Sequence, residues 1–410
     1  AWEETMHIDI NSPQMQANPY PTYAKMRQAD EPVQVDHRVA GNNAYFLTRY
    51  DDVKSVLKDP RFANDRRRLP DAEDWTKKWY IPGPLKIFGD SMALADAPDH
   101  TRLRNLVHKA FTPKMIHDLE SNMQQMSHNL LDEAQGKPQI DFIADFALPL
   151  PLNVICDMMG VPQSDRPKMH RWMADTITDT SGGLLAKFPR LLNTLGLNRF
   201  LNKLIEDRRR HPQDDLTTAL VQAEADGEKL SEDELLAMLF LILFAGHETT
   251  VNLIGSGTLA LLQHPQQFEQ LKQNRDMLDI AIEEMLRYTN PVQHIAMRYA
   301  LEDVEVGGVH IPQQSTVMLG IAAANRDETI FENASAFDIT RQPNPHIAFG
   351  FGIHYCLGAP LARLEAKTAF NVLLDRYPNL ELAVPANQLE WRGAPALRGL
   401  KPFPVRLEAH

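Results

Sequence analysis

Over 410 residues, a length that alone would suggest two or three domains although large single-core enzymes reach it, the sequence predicts a mainly α-helical fold with a smaller β part. Three observations lead there. A helical pattern opens at the capping box Ser231-Glu232-Asp233-Glu234 and holds until Gln263-His264 meets Pro265, giving one helix of roughly 30 residues and about 45 Å. Helical spacing of apolar residues also recurs in succession from about Met115 to Pro212. Strand signals are short and confined to stretches near 30–60, 292–320 and 380–410.

Composition bounds the rest. With 43% hydrophobic and 23% charged residues and no repeat, the chain is an ordinary globular protein with ample material for a core. Its two cysteines, Cys156 and Cys356, are far apart, which argues against a disulfide framework and for a reducing, cytoplasmic setting. Ala1 to Ser12 carries acids and lacks the apolar centre of a secretory signal, and the longest apolar run, Leu235 to Ala245, is too short to span a bilayer. No membrane attachment is expected. A formal charge of −12 disfavours nucleic acid as a partner without excluding a local basic face.

Taken in order, Pro19 to Arg27 reads as a helix start, Ala44 to Thr48 as a strand, and Asp51 to Leu57 as a second helix. Between Asp59 and Asp96 the pattern dissolves into Pro, Gly and scattered aromatics (Trp75, Trp79, Tyr80, Phe88), the profile of a long functional loop. His100 to Phe111 is amphipathic, and His100 and Arg104, one turn apart, share a face that read alone is a solvated basic stripe. The helical stretch after Met115 is interrupted from Ser181-Gly182-Gly183 to Pro189, where a mobile lid would fit.

In the long helix the centre is apolar on every side except at Ala245-Gly246-His247-Glu248-Thr249-Thr250. An acid and two alcohols sit there at a depth that is costly unless they have partners or work. Gly246 weakens the helix at the same place, and a Thr hydroxyl bonding four residues back would bend it and open a groove. His247 reads as packing or hydrogen bonding. Farther on, Glu284 and Arg287 lie one turn apart in a helix stopped by Asn290-Pro291, by default a surface ion pair. Val304 to Ile311 alternates around Gly307-Gly308 as a hairpin, with a strand from Thr316 behind it.

The most distinctive stretch is Phe349-Gly350-Phe351-Gly352-Ile353-His354-Tyr355-Cys356-Leu357-Gly358, followed by a helix whose first turn takes Pro360. Its glycines allow a tight loop presenting one thiol, and the positive end of the next helix lies beside the sulfur, where it favours thiolate and suits a soft metal ligand.

Phe-x-x-Gly-x-x-x-Cys-x-Gly before a helix resembles the haem-binding loop of the cytochrome P-450 family. With it come Ala-Gly-x-Glu-Thr at 245–249, Glu-x-x-Arg at 284–287, the His100/Arg104 helix and Arg341, in the family's order, and the likeness runs from Leu47 to Leu400. The resemblance implies the family's single-domain fold, with haem between the long helix and the cysteine-loop helix. It implies haem b (iron protoporphyrin IX) as cofactor, Cys356 as its axial thiolate, and Ala245, Phe349 and Gly350 lining it. His100, Arg104, Arg298, His346 and His354 would hold its propionates. Glu248 and Thr249 would relay protons during oxygen activation, and Glu284, Arg287 and Arg341 would lock the loop beneath the haem.

The implied activity is insertion of one oxygen atom from O2 into a lipophilic small molecule, as in bacterial natural-product monooxygenases. Ile87, Phe88, Met173, Thr176, Phe244, Val292, His294, Ile295, Ala296 and Leu397 match positions that line the substrate pocket, and His294 offers a hydrogen bond. Only about fifty residues follow Cys356, too few for a flavin domain, so electrons are expected from a separate ferredoxin-type protein docking on Arg102, Lys109, Lys114, Arg363 and Lys367 of a monomer. Peroxide-driven oxidation, desaturation or oxidative coupling on the same scaffold is the alternative, and a haem sensor or carrier is disfavoured by retention of Glu248 and Thr249. Two departures from the family pattern, Gln313-Gln314 where a glycine is common and Ala334 where a proline is common, concern loops only.

Overall fold

The computed structural model describes residues 6–29, 33–37, 41–70, 72–74, 89, 91–177, 184–225, 227–392 and 396–407. Its principal helices are α1 Tyr20–Gln28, α2 Tyr50–Val56, α3 Asp99–Ala110, α4 Pro149–Met158, α5 Arg166–Ile177, α6 Leu184–Arg210, α7 Glu232–Gln263, α8 Leu278–Thr289 and α9 Ala359–Arg376. Contacts divide the chain into two compact units. One comprises residues 1–71, 127–147 and 249–410; the other comprises 72–126 and 148–248.

The first unit holds the β structure. Strands β1 Met6–Asp9, β2 Val33–His37, β3 Gly41–Leu47, β4 Phe62–Ala63, β6 Ile295–Ala300 and β9 Thr316–Leu319 form one sheet in the order β1-β2-β3-β9-β6-β4. β7 Val304–Val306 and β8 Val309–Ile311 are the expected hairpin, with Gly307 at φ +58° and Gly308 at φ +83° supplying the two left-handed positions of its turn. A small sheet joins β10 Glu381–Leu382, β11 Pro404–Arg406 and β5 Ile140–Asp141, the last with no strand signal in the sequence. Apolar residues of α2, β6, β9 and the following loop, among them Val53, Val317, Leu319 and Phe331, form one core beneath the large sheet. A second core packs α8 and α9 against the C-terminal part of α7 through Leu253, Met285 and Phe370.

Among its described residues, the regular structure of the second unit is helical apart from a two-residue pairing of Glu224–Ala225 with Glu228–Lys229. Here the N-terminal part of α7 begins with a complete capping box. Ser231 N–H donates to the Glu234 carboxylate at 2.8 Å, and Glu234 N–H donates back to Ser231 Oγ at 3.3 Å. α7 runs unbroken for 32 residues, through Gly246–Thr250, where the glycine has a packing role. A Cβ on Gly246 would lie 2.6 Å from Ile155 Cδ1, so its absence lets α4 press against α7. Among the described residues α7 alone is long and apolar enough to cross a membrane, and 61% of its most apolar window is buried inside the protein.

Candidate functional site

The cysteine loop is built by backbone bonds. Gly350 N–H donates to Ile347 O at 2.8 Å, Tyr355 N–H to Gly352 O at 3.1 Å and Cys356 N–H to Phe349 O at 2.9 Å. Gly350 and Gly352 both stand at left-handed φ, +73° and +74°. Gly352 is doubly constrained, because a Cβ there would meet the Leu57 carbonyl at the end of α2 at 2.6 Å. α9 begins at Ala359, with Pro360 in its first turn as expected. The result is an exposed Cys356 thiol, outside any disulfide, held on a backbone with few alternatives.

Around that loop the first unit gathers several named residues. His354 pairs with Asn64 of the segment after β4, a partner the sequence did not suggest. Arg298 on β6 is buried, with Nη1 donating to Met297 O at 2.9 Å. Val292 and Leu397 are joined by an isolated antiparallel bridge, and the buried His294 sets its ring edge-on to Phe46 at 6.1 Å, so three of the expected substrate contacts belong to one neighbourhood. Ile295 begins β6 beside them.

The Glu284–Arg287–Arg341 group comes together as a buried ion cluster instead of a surface pair. Arg287 Nε and Nη2 each donate to Glu284 at 2.7 Å, and Arg341 Nε donates to the same carboxylate at 3.1 Å. Remaining guanidinium protons reach the carbonyls of Asn325, Ala334, Ala336 and Glu332. With both Glu284 and Arg287 fully buried, such satisfaction is what makes the charges tolerable.

His346, expected at a propionate, makes two bonds within the protein. Its Nε2 faces the Glu283 carboxylate at 2.9 Å, and its Nδ1 accepts Ala348 N–H at 3.2 Å, so both ring nitrogens are engaged within the protein. Glu283 in turn takes Arg363 Nε at 2.6 Å and Nη2 at 2.8 Å. Burial opposes its charge, but the bonds from Arg363 and His346 outweigh that and hold its carboxyl down at about 2.

Glu365 on α9 also escaped the sequence reading. It is 1% exposed, hydrogen-bonds with Thr250 of α7, and has no partner for Oε1 among the described residues. Burial pushes its carboxyl up to about 8, against the smaller lowering by Thr250, so it is predominantly neutral near pH 7. A signal existed: Leu361, Glu365, Thr368 and Val372 recur on one helical face, and an acid on a buried stripe marks a special group.

In the second unit, His100 is buried, and burial followed by the nearby Arg104 guanidinium holds its imidazole below the usual value, so the two side chains are neighbours as their spacing required. Along the middle of α7, residues 241, 242, 244, 245, 246 and 248, and Thr249 after them, are partly or fully exposed between buried stretches, with Ala245 the most open. Phe244 stacks on Phe240 at 6.4 Å. His247 points away from any ligand role, its Nδ1 lying 2.6 Å from Leu243 O. Met173 on α5 is wholly buried. Ile87 and Phe88, the Ser181 interruption and the side chains of Thr176 and Ala296 lie outside the described residues.

The expected docking cations are all engaged. Arg102 pairs with Glu234, Lys109 donates to Glu224 O at 2.7 Å, Lys114 meets Asp118 at 2.6 Å, Arg363 meets Glu283, and Lys367 meets Asp279 at 2.9 Å. By contrast Lys54 and Lys58 sit over the Phe351 ring at 4.8 and 4.5 Å with no carboxylate partner among the described residues. Next to them in the loop are Ile353, 50% exposed, and Tyr355, 39% exposed, the two exposed large apolar side chains among the described residues.

The chain matches the family profile described as cytochrome P-450 over residues 10–390. It belongs to the cytochrome P-450 family. Among curated proteins, the polyketide biosynthesis cytochrome P-450 PksS of Bacillus subtilis is 45% identical over 399 residues, covering 95% of this chain and 96% of that protein. The 6-deoxyerythronolide B hydroxylase of Saccharopolyspora erythraea is 36% identical over 409 residues, covering 98% of each. Among solved structures, PksS superposes with a TM-score of 0.89 at 43% identity, covering 97% of this chain and 99% of the other. BioI, solved in complex with an acyl carrier protein ligated to hexadec-9Z-enoic acid, gives 0.85 at 38%, covering 96% of this chain and 100% of the other. This protein is therefore a haem b monooxygenase with the P-450 fold, of the bacterial kind that oxidises natural products and other lipophilic molecules with O2 and a redox partner. Its residues fit the cofactor: a cysteine thiol is exposed on a constrained glycine loop, and α7 leaves a stripe uncovered at mid-length.

Proposed function

We propose that Cys356 is the axial thiolate, that Arg298, His354, His100 and Arg104 hold the haem carboxylates, and that Glu248 and Thr249 move protons during oxidation of a lipophilic natural product. When bound, haem supplies the oxygen activation, with thiolate donation favouring cleavage of the O–O bond. The chain does the rest. Glu248 and Thr249 place a carboxyl and a hydroxyl on the open stripe of α7, the pair of groups a proton relay needs. Phe244, Met173, Val292, Ile295 and Leu397 supply apolar surface that orients substrate and excludes water, and His294 offers one polar contact. The observation that carries this reading is that uncovered stripe at Ala245, Glu248 and Thr249 between buried stretches of the helix. Reduced protein with carbon monoxide tests the ligand: a strongly red-shifted Soret band, lost in C356H, is expected, and a histidine-like spectrum in the wild type refutes it. T249A is expected to keep consuming reductant while product falls; full product yield refutes the proton role.

For the electron donor, Lys54, Lys58, Phe351, Ile353 and Tyr355 support an acidic ferredoxin docking on the cysteine loop, displacing the fully paired cations from that role. We place the protein in the cytoplasm as a monomer.

A second reading concerns delivery of the substrate. Seven Lys or Arg (166, 168, 171, 187, 190, 199, 203) face two Asp (175, 179) between Arg166 and Lys203, in a chain of net charge −12. Arg171, Arg199 and Lys203 are exposed and have no acidic partner among the described residues, whereas Arg208 to Arg210 are all paired. Together with the carrier-protein complex of BioI, this supports substrates presented as acyl thioesters on an acidic carrier protein. Substrate-induced spectral shifts should then be tighter with acyl carrier than with free acid and weaken on adding salt. Equal, salt-insensitive affinities refute it.

A further inference from the structure

Two adjacent acids on α8 hold different parts of the protein. Glu284 anchors the buried arginine cluster. Glu283, on the neighbouring face, takes hold of both flanks of the cysteine loop at once: His346, ten residues before Cys356, and Arg363, seven after it. The grip is specific in geometry. Because His346 Nδ1 accepts Ala348 N–H, the ring carries its proton on Nε2 and donates it to Glu283. Arg363 binds the carboxylate through two nitrogens, a fork that fixes the plane of the guanidinium. That plane lies over the Phe349 ring at 4.6 Å, and Nη1 reaches Tyr355 Oη at 3.5 Å. Phe349 is also the residue whose carbonyl accepts the Cys356 N–H.

One carboxylate thus connects, through His346 on one side and Arg363 on the other, to the residue that holds the backbone of Cys356. The pairing is also sheltered, His346 being 4% exposed and Glu283 30%.

We propose that Glu283 is a positioning residue for Cys356: its clamp on His346 and Arg363 holds Phe349 and Tyr355, and through them keeps the cysteine sulfur in the orientation that ligates iron. The assignment rests on Cys356 being the haem ligand. It gives His346 a role in the loop's architecture in place of a propionate contact. It also separates the two acids of α8, Glu284 serving folding of the segment under the haem and Glu283 serving ligation.

The test compares haem-loaded wild type, E283Q, E283D and the control D279N, which removes a different α8–α9 ion pair, Asp279–Lys367, away from the loop. Two quantities are read: the rate at which the red-shifted carbon monoxide complex converts to the non-thiolate form in dilute guanidinium, and the ferric–ferrous midpoint potential. Loss of a sheltered two-pronged ion pair is expected to speed conversion in E283Q by about tenfold and to shift its potential, with E283D partly restoring both and D279N matching wild type. Conversion and potential in E283Q equal to those of D279N overturn the inference. If E283Q does not retain haem, H346N, which removes one arm only, decides: faster conversion supports the clamp, and wild-type behaviour overturns it. A wild type lacking the red-shifted band would instead refute Cys356 as ligand, a separate result.

Discussion

Replacing Glu365 by Gln removes a buried acid without changing its shape, and the structure fixes how the consequence depends on pH. Burial raises this carboxyl from 4.5 to about 8, while in the unfolded chain it titrates at its ordinary value. Between those two values the folded protein retains a proton that the unfolded chain has released. Wild-type stability from this group is therefore fully present below about pH 4.5 and is lost as pH rises through about 8. At about 1.4 kcal/mol per pKa unit the whole window is worth at most ~5 kcal/mol, and relaxation of the site reduces that to ~2 to 3 kcal/mol. Glutamine has no such slope. Thermal melts of the haem-loaded proteins, followed by loss of the Soret band, should show E365Q level with or below wild type near about pH 5 and above it by several degrees near about pH 8.5. Infrared spectra add a direct check, since a protonated carboxyl C=O band present in wild type at neutral pH should vanish in E365Q. Parallel melting curves across that range, with no lost band, would refute a neutral buried Glu365.

Three further outcomes follow from contacts already described. G246A brings a methyl toward Ile155 Cδ1, the movable end of a side chain, so the gain of about 1 kcal/mol that Ala usually brings to a helix interior should be largely cancelled in denaturant titrations and should reappear in G246A/I155V relative to I155V; the full gain in G246A alone would deny the close approach. Gln314 stands at φ +68°, where a side chain is strained and where the family often has glycine, so Q314G should gain up to about 1 kcal/mol in the same assay instead of losing stability as Gly substitutions usually do. Reversing Lys54 and Lys58 together to Glu should slow reduction by an acidic ferredoxin severalfold at low salt and flatten its salt dependence, while R102E, whose native guanidinium is already paired, changes it little. Stopped-flow reduction at two ionic strengths reads both.

What could be seen in the sequence was whatever is local. The capping box, the proline stop and the apolar run between them defined α7, since each acts within a few residues of itself. Gly307-Gly308 announced a turn for the same reason, and the cysteine loop declared itself through glycines whose backbone angles no other residue adopts as readily. What the sequence concealed was long-range. Glu284 and Arg287 sit one turn apart like many surface pairs, and only the carbonyls of residues 325, 332, 334 and 336 reveal that the pair is buried. Lys109, Arg363 and Lys367 read as available charge until residues 80 to 115 positions away supply their partners. Glu283 is the sharpest case: its spacing to His346 and Arg363 carries no periodic signal, yet those two contacts bracket Cys356, the proposed ligand. The family resemblance pointed to that cysteine, and the proposed clamp gives a physical reason for it to stay in place.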